Sequence, residues 1–344
     1  MKKAYTKRTP EEKRVQIAEI TEKLDKKVSE LFNSDTYRNY LKTMSKFHNY
    51  SFNNTLLISM QRPDASLVAG FNAWKTNFHR NVKKGEKGIK IFAPAPVKKT
   101  IEQDVIDPVT QKPVLDNDGN AKKEEVQVTI PLFQVVTVFD YAQTEGEELP
   151  SIGVSELSGK VDGYRSMIRA LENVSPVPVE RNDVASGAKG YFSPSEQKIV
   201  LQKGMSEVQT VKTLIHETAH ALLHDKDGCK VEGVTDPEKK NRNTKEVEAE
   251  SVAYTVCEYF GIDTSEYSFG YIAGWSAGKD LKELKESMET IRKTASKIIT
   301  GVEEKLLEKT SIKARLAAGE AKKADQSAMV KPHKEKARQE AVLA

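Results

Sequence analysis

With 344 residues, 30 % of them charged and 38 % hydrophobic, the chain can fill two domains with cores, and no run approaches the roughly 20 apolar residues of a membrane helix. Two cysteines, Cys229 and Cys257, exclude a disulfide framework or a cysteine zinc site, and the basic start MKKAYTKRTPEEKRVQ lacks the apolar segment of a secretory signal, so a cytoplasmic protein without a membrane partner is expected. The net charge of +4 conceals a first hundred residues at +12 followed by sixty residues of net negative charge, a balance that fits a nucleic-acid partner or a solvated lysine surface.

Residues 11 to 33 set Ile17, Ile20, Leu24, Val28, Leu31 and Phe32 at helical spacing among charges, which predicts an amphipathic helix. DTYRNYLKTMSKFHNY and SFNNTLLISMQRP predict two more, the second capped by Ser51 and stopped by Pro63. After Trp74 the pattern changes. The lysine-rich turn in NVKKGEKG leads into a strand, IKIFAPAPV, and VQVTIPLFQVVTVFDYAQT supplies one or two more. Between them DPVTQKPVLDNDGNAKKE has the Pro, Asp and Gly content of a long exposed hairpin loop. TEGEELPSIGVSELSG has no period and predicts the boundary, with a first domain over 10–145 and a linker over 146–158. A second domain over 159–279 follows. It should contain a helix over 159–173, a hairpin in GYFSPSEQKIVLQ, a helix from about Ser206 to His224 and a helix in TKEVEAESVAYTVCEYFGI. Residues 280–344 read as a long amphipathic helix passing into a charged, partly disordered tail. The fold class is α+β, in two domains.

The helix near 213 reads TLIHETAHALLHD. The four-residue step from His216 to His220 turns a helix by about 400°, so both rings stand on one face. Glu217 follows at the position of a general base. Val208, Val211, Ile215, Ala219 and Leu222 form an apolar stripe with both histidines along its flank. Two buried histidines with ordinary hydrogen-bond partners are the alternative, and the flank position argues for a zinc helix. A catalytic zinc takes a third protein ligand. His224 is one further turn away, too far for the same ion, and is expected at the surface or behind a ligand. In the later helix Ala249, Val252, Ala253, Val256 and Phe260 mark the buried side. Glu246 and Glu250 lie on one flank and Glu248 on the other. Glu246, nearest the apolar face, is the expected third ligand of one Zn²⁺ per chain. Glu250 is expected to hydrogen-bond the outer nitrogen of a zinc histidine.

GYFSPSEQKIVLQ, TLIHETAHALLHD and KEVEAESVAYTVCEYFGI together resemble the zincin-type metallopeptidase domain of the ImmA/IrrE group and its ArdC relatives. Glu246, Ala249 and Glu250 match the second-helix pattern of that group, whose members often have Asn or Asp where Glu250 stands. YSFNNTLLISMQRPDASLVAGFNAWK, VKKGEKGIKIFAPAP and VVTVFDYAQTEG resemble the ArdC-like single-stranded-DNA-binding domain. Together the two cover about residues 10 to 275. The resemblance implies an antirestriction protein of a mobile, conjugative element, with sequence-nonspecific single-stranded DNA as partner and a protein as peptidase substrate. Tyr191, in the edge hairpin, is expected in the substrate groove. Trp74, Phe78, Arg80, Lys83, Lys84 and Lys87 put aromatics and cations around a glycine turn, as a single-strand site requires. For Trp74 a core position is the alternative. Two other functions stay open: a DNA-responsive regulatory protease that cleaves a repressor, and a non-catalytic DNA-protecting protein with a structural zinc domain.

Overall fold

Thr9 opens the described chain with a capping box, its Oγ1 accepting from the Glu12 N–H at 3.2 Å while Glu12 accepts from the Thr9 N–H at 2.7 Å. The structure is a computed structural model that describes residues 9–108, 110–116, 119–149, 161–184, 187–225, 227–234 and 240–329. Most of the expected linker and the last fifteen residues of the expected tail lie outside them. The chain divides into two compact units, Met1–Pro150 and Ser151–Ala344. Among the described residues no helix is long and apolar enough to cross a membrane.

The first unit starts with α1 (Pro10–Leu31), α2 (Ser34–Lys46) and α3 (Phe52–Gln61), followed by β1 (Val68–Gly70) and α4 (Phe71–Asn77). Then come β2 (Arg80–Val82), β3 (Ile89–Pro94), β4 (Val97–Asp104), β5 (Lys123–Ile130), β6 (Phe133–Asp140) and β7 (Thr144–Gly146). Pro131 separates β5 from β6, as a residue without an N–H should. β4 and β5 form an exposed two-stranded ribbon that carries the expected hairpin loop. The sheet has the order β1-β6-β3, all antiparallel. Tyr37, Tyr40, Leu41, Met44, Leu56, Ile58 and Trp74 fill the core.

Side chains complete what the short strands leave unpaired. Asn54 on α3 lies along the edge of β3, its Oδ1 accepting from the Phe92 N–H at 2.9 Å and its Nδ2 donating to the Phe92 carbonyl at 2.8 Å. Two turns on, Gln61 does the same for Lys90, at 3.0 and 2.9 Å. At the end of β6 the buried Asp140 accepts from the N–H groups of Ser66 and Ala142 at 2.7 and 2.9 Å. Gln143 donates to Glu86 and to the Lys87 carbonyl, which ties the lysine-rich turn to the sheet.

The second unit contains α5 (Val161–Val174), β8 (Val179–Asn182), β9 (Gly190–Ser193), β10 (Lys198–Gln202), α6 (Glu207–Leu223), α7 (Arg242–Tyr259), α8 (Ile272–Ser276) and α9 (Leu281–Met329). β10 is central, parallel to β8 and antiparallel to β9. α6 packs on this sheet and on α5 and α7, and α9 packs on α5 and α7. The sheet and α6 nearly touch at Gly190, where a Cβ would lie 2.7 Å from Thr213 Cγ2 and 2.9 Å from the Val200 carbonyl oxygen. The missing side chain there brings β9 against the HETAH helix.

Asn54→Ala would strip two backbone groups of β3 of their partners. A loss of about 1–3 kcal/mol is expected, read as a lower urea midpoint at unchanged slope.

Candidate metal centre

α6 carries the two histidines one turn apart, and α7 lies against it with its Val247 and Ala249 buried. The packing brings three donor atoms to one point. His216 Nε2 and His220 Nε2 are 3.1 Å apart, and Glu246 Oε2 lies 3.7 Å from the first and 3.5 Å from the second. Ligand bonds of about 2.0–2.1 Å at tetrahedral angles put donors about 3.3–3.4 Å from one another, so this donor set fits zinc without rearrangement. Among the described residues these three form a group able to hold a metal ion.

Without a cation the three groups act on one another. The hydrogen bonds of His216 and His220 hold the Glu246 carboxyl far below the usual carboxylate range. Burial pulls the His216 imidazole down, but Glu246 and the neighbouring carboxylates outweigh it and the pKa rises. Glu217 is buried and its carboxyl is pushed up by that burial, against the pull of both histidines and a hydrogen bond from the Phe192 N–H of β9. A carboxyl with raised basicity beside the donor triangle is suited to accept a proton.

Behind the triangle runs a buried relay. His220 Nδ1 and His224 Nδ1 are 2.9 Å apart, and His224 Nε2 is 3.1 Å from Glu248 Oε2. If Nε2 of His220 turns its lone pair toward a metal, its Nδ1 carries the hydrogen and donates it to His224. His224 Nε2–H then donates to Glu248. Burial lowers the His224 pKa to about 4, so the ring stays neutral and the tautomer holds. Glu248, fully buried, also accepts from Lys240 Nζ at 2.8 Å and from Ser287 Oγ of α9 at 3.2 Å.

For Glu250 the structure gives another hydrogen bond: its carboxylate accepts from the Tyr271 hydroxyl while its charge acts on His216, and the outer nitrogen of His220 faces His224. Glu248, which helical geometry sends to the opposite flank, is the acid that completes the set. The missed signal is a third histidine four residues after His220, with an acid two residues after Glu246.

Two clefts, of about 590 and 430 Å³, share Gly190, His216 and Glu217. Both therefore open beside the donor set. Tyr191, 42 % exposed, lines the larger with Lys240, Arg242 and Lys245.

The residues expected to contact nucleic acid divide. Trp74 is fully buried and donates its Nε1–H to the Phe139 carbonyl at 2.8 Å, so it cannot stack on a base. Phe78 packs on it at 4.9 Å between ring centres. Arg80 is also internal. It donates to the Thr144 hydroxyl at 2.8 Å and stacks on Tyr141 at 4.2 Å. The expectation fails for Trp74 and Arg80 because short elements need a large ring and a fork of donors to close their core. Lys84 and Lys87 stand exposed on the turn, and Lys83 donates to the Ala142 carbonyl at 3.1 Å.

Comparison with known proteins adds the following. Residues 11–139 match the N-terminal domain of anti-restriction factor ArdC, and residues 175–275 match the IrrE N-terminal-like domain. An uncharacterized protein of Bacillus anthracis, pXO2-81, is 30 % identical over 346 residues. That alignment covers 89 % of this chain and 54 % of the relative, so the chain spans about half its length. Two crystal structures of the antirestriction ArdC protein from the R388 plasmid are similar at 18 % identity. The metal-free one has a TM-score of 0.42 over 74 % of this chain and 85 % of that one. The Mn(II)-bound one has 0.39 over 76 % and 86 %.

His224→Ala should weaken zinc affinity by about 10–100-fold, measured by competition with a chromophoric chelator. Because His216 keeps its proton to higher pH than a free imidazole, a metal must displace it. Zinc affinity should therefore fall by up to about tenfold per unit between pH 8 and pH 6 for each proton displaced, in the same assay.

Proposed function

On the premise that the chain joins an ArdC N-terminal-type domain to an IrrE N-terminal-like domain, we propose an antirestriction-type protein of a mobile element. Its first domain binds single-stranded DNA, and its second is a zinc-dependent peptidase. The observation that carries the peptidase reading is the convergence of His216, His220 and Glu246 beside a buried Glu217 of raised pKa, lining an open cleft. When bound there, zinc would lower the pKa of a water toward about 7 and polarise a substrate carbonyl.

His216, His220 and Glu246 would hold the ion, with His220 oriented through His224 and Glu248. Glu217 would take a proton from the attacking water and deliver it to the leaving amine. The substrate is an extended chain. β9 is an edge strand of its sheet and runs along α6, and an edge strand can pair with an incoming peptide backbone. Tyr191 contacts that peptide, and Arg242 and Lys245 favour acidic side chains in the larger cleft, since the charge of Lys240 is taken up by Glu248. In the first domain the cationic excess supplies affinity for phosphates without base choice, which weakens as salt rises. Lys84 and Lys87 contribute to it.

Glu217→Gln is expected to keep zinc, by metal analysis, and to cut hydrolysis of a quenched-fluorescence peptide library by about 10²–10⁴-fold. Equal hydrolysis by both forms would overturn the peptidase reading.

A further inference from the structure

The sheet of the first unit has one open side. Directly paired residues of antiparallel strands project to the same face, so the register separates two sets. Val68, Asp140, Val138, Ile89 and Ile91 occupy one face and are buried, while Val136 and Ala93 farther along it are half-buried and Gln134 at its end is exposed. The other face carries Phe139, then Thr137 beside Lys90, Val135 beside Phe92, and Phe133 beside Pro94. Here Thr137, Lys90, Phe133 and Pro94 are exposed, while Phe139, Val135 and Phe92 are half-buried.

An open sheet face is ordinarily polar. This one has three phenylalanines, and Phe71 at the start of α4 adds a fourth, meeting Phe139 edge-on at 6.2 Å. Phe71 and Phe133 are 57 and 59 % exposed. The rings follow β6 from Phe139 to Phe133, about 20 Å at ~3.4 Å per residue. Gly88, beside Phe139, keeps the row open. A Cβ there would lie 2.1 Å from Thr137 Cγ2 and 3.0 Å from Phe139 Cζ.

The charge around this face selects its occupant. Lys90 stands within it, and residues 62–100 hold nine lysines and arginines against two acids, Asp64 and Glu86. Flat apolar rings in a cationic field suit a polyanion whose bases are unpaired, whereas a duplex keeps its base faces stacked inside. We infer that the open face of the β1-β6-β3 sheet is the base-stacking platform, with a single strand running along β6 over Phe71, Phe139, Phe92 and Phe133 and Lys90 meeting a phosphate. This rests on the single-stranded-DNA reading of the first domain and moves its contact from the tryptophan helix to the sheet.

The test is fluorescence anisotropy of a labelled oligothymidine with the full chain over a salt series. Phe71→Ala and Phe133→Ala should each weaken binding roughly 5- to 150-fold and leave the salt slope unchanged. Lys90→Gln should reduce that slope by about 0.7. Thermal melting controls for folding, since both rings are exposed and the variants should melt with the parent. Phe133→Trp supplies an independent reading. Trp74 and Trp275 are buried, so its exposed indole should be quenched by the oligonucleotide. Tight binding by the parent, with both alanine variants within about twofold of it and no quenching, would overturn the platform and leave the DNA reading standing. No binding by the parent at low salt would overturn both.

Discussion

The centre of the second unit depends on holding three donor atoms 3.1 to 3.7 Å apart. Lone pairs so close repel one another unless a cation or shared protons lie between them, so each ligand must be held from outside. α6 supplies the one-turn spacing of the histidines and α7 brings Glu246 across. α9 adds Ser287 behind Glu248, which with Lys240 fixes the His224 ring. The cost of burying an acid and an imidazole is offset because their polar atoms find partners. Metal geometry is thus decided by helix packing as much as by the HETAH residues.

The same rule shapes the first unit, with the backbone as the group to be satisfied. Its strands are short and its sheet has edges. Asn54 and Gln61 act as a substitute strand beside β3, and Asp140 and Gln143 clamp the turns at the end of β6. These residues lie in the YSFNNTLLISMQ and FDYAQT segments that carry the likeness to the ArdC domain. Their work is structural. The proposed DNA contacts fall instead to side chains that have no distinctive spacing.

The helix boundaries and the hairpin of the second unit were legible because apolar periodicity and caps are local signals. α6 spans Glu207–Leu223 against an expected start at Ser206, which is its N-cap. Glu246 was legible for the same reason, as the acid nearest the apolar stripe of α7. Glu250 was not, because rotation about a helix axis tells which flank a side chain occupies and not which neighbour waits there. Trp74 misled for a similar reason. A tryptophan beside lysines reads the same whether its ring turns out or in, and burial in the β1-β6 corner turns it in.

By itself the sequence determined the α+β class, the one-turn spacing of His216 and His220 around Glu217, and the basic character of the first hundred residues. All three depend on residues near one another along the chain, where helical rotation, alternation and charge add up locally. Tertiary structure alone decided that Glu248 and His224 stand behind the donor set, that Arg80 and Trp74 are internal, and that four phenylalanines from α4, β3 and β6 share one open face. Those juxtapositions join residues tens of positions apart, and their partners are chosen by packing and by the need of buried polar atoms for hydrogen bonds.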